Sequence, residues 1–195
     1  QFFLGGTMRL TIIISVLLMS VTSGFGFKID DPVEGWASQN GGTTGGLGGE
    51  EVTVSTTEEL VKEAESAEKK IIFMKKGMYK LSKRLEVKSN KSILGLEPGV
   101  TVDGTIAIRE EVTNIIIRNI CVINSTQCGS YKACQSGTDA MNIMYNATNV
   151  WLDHLDIHDG QDGNLDMTQG SDFITVTWCK FYYTYPKAHA FSNLI

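Results

Sequence analysis

A short internal repeat is the feature that most constrains how this chain can fold. Residues 91–94 (KSIL) stand 23 residues before residues 114–117 (NIII), and residues 149–152 (NVWL) stand 23 before residues 172–175 (DFIT). The interval between the two pairs is 35 residues, which is a similar period with about a dozen residues inserted. A fixed period of this size is typical of solenoids, in which each unit buries its apolar face only against the next.

The content of each repeat favours strands. A polar residue precedes each β-rich run, and a second short run follows it at Cys121–Ile123, Asp156–His158 and Lys180–Tyr182. A leucine-rich repeat has a similar period, but its regular Leu and Asn ladder is absent, and the hairpin turns of a β-sandwich are scarce. The pattern therefore predicts an all-β protein, a right-handed parallel β-helix.

The segment before the repeats carries different signals. Residues 57–60 (TEEL) open the one convincing helix pattern, which Thr56 or Thr57 can cap, and we expect it to cover the N-terminal end of the solenoid. The glycine-rich run at residues 35–46 (GWASQNGGTTGG) contains Trp36 and paired threonines, which are unusual in a linker. It predicts a structured loop with several positive φ angles.

The N-terminus is expected to direct export. Met8 and Arg9 precede an apolar run at residues 10–19, too short for a membrane span and typical of a signal peptide. We expect residues 1–7 to be an upstream remnant, residues 8–26 a signal peptide and residues 27–195 the β-helix domain, in a secreted, extracellular protein.

Export bears on cysteines and asparagines. Cys121, Cys128, Cys134 and Cys179 allow three disulfide pairings, of which Cys128–Cys134 is favoured because the two flank a short loop. N-glycosylation signals occur at three asparagines, Asn90, Asn124 and Asn146.

Charge limits the possible partners. The net charge is −5, and no Lys/Arg cluster is long enough to follow a phosphate backbone, so neither nucleic acid nor membrane is expected as a partner. We expect a monomer.

The densest group of polar side chains lies between Asp139 and Lys187. Asp162 and Asp166 stand four apart at a turn that enters a strand, and Asp139 lies about one turn of the solenoid earlier. Carboxylates that converge repel each other unless a cation lies between them, and oxygen ligands favour calcium. Spacing alone leaves two alternatives open: ordinary turn aspartates, or the paired carboxylates of a glycosidase.

Several ordered motifs resemble polysaccharide lyase family 1, the pectate lyases. These are residues 35–46, residues 150–154 (VWLDH), residues 162–166 (DGNLD) and residues 170–178 (GSDFITVTW), so that the resemblance runs from Trp36 to the last residue. It implies a parallel β-helix and calcium-assisted β-elimination of polygalacturonate.

The resemblance also implies roles for single residues. Asp139, Asp162 and Asp166 match the calcium ligands, Lys187 matches the lysine that contacts the substrate carboxylate, and Gly137 stands where some members have a further acidic ligand. Asp153 and His154 are expected to order the structure rather than to react.

The family's catalytic base is an arginine that the resemblance places beyond Ile195. Arg84, Arg109 and Arg118 match no catalytic position, so the chain is expected to be truncated at its C-terminus and inactive alone. The remaining alternatives are a non-catalytic β-helix carbohydrate-binding protein and a hydrolase of the polygalacturonase kind. A calcium-independent pectin lyase is disfavoured by the three retained aspartates.

Overall fold

The computed structural model describes residues 30–124, 139–184 and 191–195. In this part of the chain three parallel sheets wrap around one core, and the expected parallel β-helix is confirmed. Starting at the second strand, the chain visits sheets A, B and C in turn, five times over. The elements are a 3₁₀ turn at Gly35–Ser38, β1 Glu50–Val54, α1 Thr57–Ala64, β2 Lys70–Met74, β3 Gly77–Lys80, β4 Leu85–Glu86, β5 Lys91–Gly95, β6 Val100–Asp103, β7 Ile106–Ile108, β8 Thr113–Arg118, β9 Cys121–Ile123, β10 Met141–Ile143, β11 Thr148–Asp153, β12 Asp156–His158, β13 Gly163–Met167, β14 Asp172–Thr177, β15 Lys180–Tyr182 and β16 Phe191–Leu194.

Each sheet takes one strand from every turn. Sheet A has the order β1-β2-β5-β8-β11-β14, sheet B the order β15-β12-β9-β6-β3, and sheet C the order β16-β13-β10-β7-β4. Equivalent residues of successive turns therefore stack, as in the aliphatic row Ile72, Ile93, Ile117, Leu152 and Val176. These rows fill the interior, which is why no single turn could bury its apolar face alone.

The helix begins where the sequence predicts. Thr56 accepts a hydrogen bond from the Glu59 N–H, and the Glu59 carboxylate reaches back to the Thr56 N–H, which forms a capping box. Leu60 and Ala64 are fully buried against the core. The helix thus covers one end of the solenoid.

The two pairs of repeats that the sequence aligned at 23 residues are in register at 24 residues. Lys91 pairs with Ile115 rather than with Asn114, and Thr148 rather than Asn149 pairs with Asp172. In the first pair, the difference arises because Lys91 is not a turn residue: its side chain is buried, and its ammonium group donates to three backbone carbonyl oxygens.

The glycine-rich run is a structured loop, as expected. It lies over the outer face of sheet A, where Ala37 packs with Ile71, Ile116 and Trp151 in a second apolar cluster. A Cβ at Gly46 would lie 1.8 Å from the carbonyl oxygen of Lys70, so glycine is required for this close approach.

Among the residues that the structure describes, no helix has the length and apolar character that crossing a membrane requires. The expected signal peptide at residues 8–26 and the expected Cys128–Cys134 disulfide lie outside the described residues. Cys121 and Cys179, which are described, are free thiols.

Candidate functional site

Two consecutive strands of sheet C place polar side chains on its outer face. In β10, Met141 and Ile143 point into the core, so the residue between them, Asn142, points outward. Asn142 stands in register with Asp166 of β13. The partner of Asp166 across this pair of strands is therefore an asparagine, and Asp139 lies just before β10.

Asp139 is fixed at the entrance to β10. Its carboxylate oxygen Oδ1 accepts a hydrogen bond of 3.1 Å from the backbone N–H of Gly163. Its carbonyl oxygen accepts from Thr105 at 2.7 Å and from the Asn124 side chain at 3.2 Å. The Asn124 side chain is thus buried, and its amide donates hydrogen bonds inside the protein. A glycan on this side chain would not fit such a position.

Gly163 brings two of the predicted carboxylates together. A Cβ at this position would lie 2.7 Å from Oδ1 of Asp166 and 3.4 Å from Oδ1 of Asp139. Both oxygens therefore face the same bare stretch of backbone, and any larger residue would push them apart. The sequence placed Asp139 beside Asp166; the structure shows that Gly163 is where they meet.

The electrostatics of this group favour the uptake of positive charge. Burial, followed by the neighbouring carboxylates of Asp166 and Asp162, raises the pKa of Asp139 to about 7. Burial and Asp162 also raise the pKa of Asp166. A bound cation would remove this repulsion by supplying the charge that protonation otherwise supplies.

Asn142 adds an oxygen that the sequence analysis did not single out. Its side chain is buried, and among the described residues its Oδ1 has no hydrogen-bond partner, while its Nδ2 makes a long contact of 3.5 Å with Oδ2 of Asp139. Buried polar atoms are nearly always satisfied, so an orphaned oxygen beside two carboxylates fits a cation that prefers oxygen ligands. The alternation of β10 was the signal that could have found it.

Asp162 lies in the turn before β13 and acts on both carboxylates through its charge. The three aspartates do not form a tight cluster, however. In the described part of the chain, the group of acidic, His and Cys residues whose donor atoms all lie within 4.8 Å of one another is Cys121, Asp156 and His158. Asp139 and Asp166 approach each other at Gly163, and Asp162 acts on both through its charge.

Tyr183 borders the same site, which sequence reasoning missed. Its hydroxyl donates to the carbonyl oxygen of Phe191 at 2.8 Å, and burial together with the nearby aspartates raises its pKa to about 12. Lys187, the predicted substrate ligand, lies outside the described residues, as does Gly137.

Asp153 and His154 belong to a separate network on the outer face of sheet A. Oδ2 of Asp153 accepts from Arg118 Nε at 2.8 Å and lies 2.9 Å from His154 Nδ1, while Oδ1 accepts from Thr177 at 2.7 Å. The Arg118 guanidinium lies over the Trp151 ring at 4.6 Å. These partners hold the Asp153 carboxylate and the Arg118 guanidinium in one arrangement on this face.

Comparisons with known proteins identify the family of this chain. The family model described as pectate lyase matches residues 7–188. A pectate trisaccharide-lyase of Thermotoga maritima is 33% identical over 186 residues, covering 89% of this chain and 50% of the relative. Pectate lyase A of Emericella nidulans is 36% identical over 157 residues, covering 77% of this chain and 45% of the relative. The chain thus spans about half the length of the curated relatives it matches.

Solved structures are similar as well. The major allergen from cedar pollen, jun a 1, has a TM-score of 0.62 at 27% identity, over 74% of this chain and 47% of the allergen. A Bacillus sp. N165 pectate lyase, solved in complex with trigalacturonate, has a TM-score of 0.61 at 28% identity, over 75% of this chain and 51% of that enzyme. The motifs, the three-sheet solenoid and the matching family model together show that the chain belongs to the pectate lyase family.

Proposed function

We propose that the intact protein is an extracellular, calcium-dependent pectate lyase that cleaves polygalacturonate by β-elimination and leaves unsaturated ends. The observation that carries this proposal is the approach of the Asp139 and Asp166 carboxylates at Gly163, with the unpartnered Asn142 oxygen on the adjoining strand β10, in a chain of the pectate lyase family. A hydrolase would use one carboxylic acid and one carboxylate around the glycosidic bond. Carboxylates that gather at one point instead suit a cation.

The residues that would hold calcium are Asp139, Asp166 and Asp162, together with Asn142. All offer oxygen, the ligand atom that calcium prefers. When bound, calcium supplies positive charge beside a uronate carboxylate, which makes the neighbouring C–H proton more acidic.

The chain's own residues would prepare this site. The Gly163 N–H holds one oxygen of Asp139 in place, and the Leu194 N–H lowers the pKa of Asp166 against its burial. Lys187 would bind a substrate carboxylate, and an arginine beyond Ile195 would take the proton.

The direct test is an assay on the complete gene product. Unsaturated uronide from polygalacturonate, followed by near-ultraviolet absorbance, is expected with calcium and is expected to disappear with a chelator. New reducing ends without unsaturation would instead indicate a hydrolase, and no product at all would indicate a binding protein. Turnover by the 195-residue chain alone would contradict the placement of the base beyond Ile195.

Two variants test the site itself. Asp166→Asn is expected to lower calcium affinity about 100-fold, and Asn142→Leu about tenfold, by analogy with lost metal partners. Because Asn142→Leu also removes an orphaned buried amide, the metal-free protein should be no less stable than the unaltered protein. Excess calcium should restore its rate, since only affinity is affected.

Ser171→Ala is the matched control, because it removes another buried oxygen without a hydrogen-bond partner among the described residues, in the turn that leads from β13 to β14. Its calcium affinity, measured by titration calorimetry, should be unchanged. Equal losses of affinity in Asn142→Leu and Ser171→Ala would count against a calcium site at Asn142.

A further inference from the structure

A second group of metal-ligating side chains lies on the outer face of sheet B, apart from the carboxylates of sheet C. In β9 and β12, Val122 and Ile157 point into the core, so the residues on either side of them point outward. Cys121 stands in register with Asp156, and His158 follows two residues later on the same face. Adjacent turns thus bring a thiol, a carboxylate and an imidazole together.

The imidazole of His158 is held in one orientation. Its Nδ1 lies 2.8 Å from Oδ2 of Asp159, and its ring stacks on Tyr182 with 4.5 Å between centroids. Asp159 is itself fixed by the N–H and hydroxyl of Thr184, at 2.8 and 2.7 Å. A carboxylate behind a histidine is the usual outer partner of a metal-binding imidazole, because it sets the tautomer and aims the other nitrogen.

The other ring nitrogen faces the thiol. Nε2 of His158 lies 3.6 Å from Sγ of Cys121, and one donor atom from each of Cys121, Asp156 and His158 falls within 4.8 Å of the others. A tetrahedral ion about 2.0–2.3 Å from each ligand needs separations of this size or slightly less. Within the described part of the chain, Oδ1 of Asp156 is also buried without a hydrogen-bond partner.

We propose that Cys121, Asp156 and His158 bind a divalent transition-metal ion of the zinc class, with Asp159 as the positioning residue behind His158. Sulfur and imidazole ligands select zinc-class ions and disfavour calcium, which takes oxygen. Binding replaces the thiol proton of Cys121 with the metal and releases that proton to solvent. Three protein ligands leave a fourth position for water.

The site would join two turns of the solenoid. Cys121 belongs to β9, and Asp156 and His158 belong to β12 in the next turn. An ion between them stabilises the folded chain, because the unfolded chain does not hold these ligands together. It is independent of the proposed lyase chemistry, since its ligands lie on another sheet.

The test is a titration of the reduced protein with Co²⁺, which reports a thiolate ligand through a near-ultraviolet charge-transfer band. We expect one Co²⁺ per chain with this band, displacement by Zn²⁺ and none by Ca²⁺. Cys121→Ser should abolish the band, His158→Gln should weaken binding at least tenfold, and Asp159→Asn should weaken it about 10–100-fold. Circular dichroism verifies that each variant is folded.

Two variants serve as controls. Cys179→Ala removes the other described free thiol, and His154→Gln removes a histidine that lies outside the cluster. Both should keep the band and the Zn²⁺-induced rise in melting temperature. A band that survives Cys121→Ser, binding indifferent to His158→Gln, or Cys121 found in a disulfide by non-reducing peptide mapping would overturn the proposal.

Discussion

At the scale of the residue, Asp139 shows how this fold prepares a charged site. A carboxyl group that is almost wholly buried would normally be paired with a cation, yet two further carboxylates, Asp166 and Asp162, act on it instead. The hydrogen bonds from Gly163 and Asn142 offset only part of this cost. Asp139 is therefore a position where local stability is reduced, as is common at functional sites.

The raised pKa of Asp139 predicts a pH dependence of the metal-free protein. Because its folded pKa of about 7 lies above the ordinary value of 3.8, the folded state holds this proton more tightly than the unfolded state. The contribution of Asp139 to the free energy of unfolding should thus be greatest below pH 4 and should fall as pH rises to about 7. This pH dependence is measured by thermal unfolding of the unaltered protein and of Asp139→Asn, both in the presence of a chelator.

Asp139→Asn should flatten the slope between pH 4 and 7, because asparagine does not titrate. Calcium should bind the unaltered protein more tightly as pH rises through this window, and its binding should release protons. Calorimetric titrations in two buffers of different ionisation enthalpy measure the number of protons released. A slope equally steep in Asp139→Asn would show that other groups control it.

At the scale of the element, a ladder of asparagines ties the N-terminal loop to sheet A. Asn90, Asn114 and Asn149 occupy equivalent positions in three turns, with φ of 62°, 65° and 54°. Oδ1 of Asn114 accepts from the N–H groups of Thr44 and Gly45, each at 2.7 Å, and its Nδ2 donates to Asn90 at 2.8 Å. Asparagine suits this left-handed backbone and provides the hydrogen bonds too.

Substitutions at Asn114 separate these two contributions. Asn114→Ala loses the hydrogen bonds and keeps a strained backbone, so it should destabilise the protein by about 3 kcal/mol. Asn114→Gly relieves the strain and should cost about 1–2 kcal/mol less. Urea unfolding compares the two, and equal losses would mean that the backbone conformation contributes little.

At the scale of the whole molecule, the solenoid depends on its end being covered. Helix α1 places Leu60 and Ala64 over the first turn, next to the row of aliphatic residues that runs through the stack. The cap and the stack thus share one core, and damage to the cap exposes surface on which another chain could add.

Leu60→Ala tests this coupling. The side chain is fully buried, so the substitution should cost about 3 kcal/mol and increase association at high concentration. Leu47→Ala, at a leucine that is 45% exposed, is the matched control and should change little. Chemical unfolding measures the loss of stability, and light scattering measures the association. Similar values for the two variants would contradict the role of α1 as a cap.

Much of this organisation could be predicted from the sequence. The helix cap at Thr56, the runs at β9, β12 and β15, and the structured glycine-rich loop all carry local signals, because turns and caps depend on neighbouring residues. The register could not be predicted, since Lys91 looks like a surface residue until the carbonyl oxygens that accept hydrogen bonds from its ammonium group are known.

The candidate site was predicted only in part for the same reason. Asp139 and Asp166 stand out as acidic residues near turns, whereas the importance of Asn142 comes from its burial and lack of a partner, and Tyr183 reaches the site from the next turn. Contacts between turns depend on which residues stack on each other, and a short stretch of sequence does not give this information.

The unequal spacing of the repeats has one last consequence. Thr113 and Thr148 are 35 residues apart, yet they pair in the same register as residues 24 apart in the next turn, Thr148 and Asp172. A turn can therefore gain residues at its corner while the strands on both sides keep their places. Diversification of such a protein is expected to concentrate at these corners, where loops can lengthen while the stacked strands keep their register.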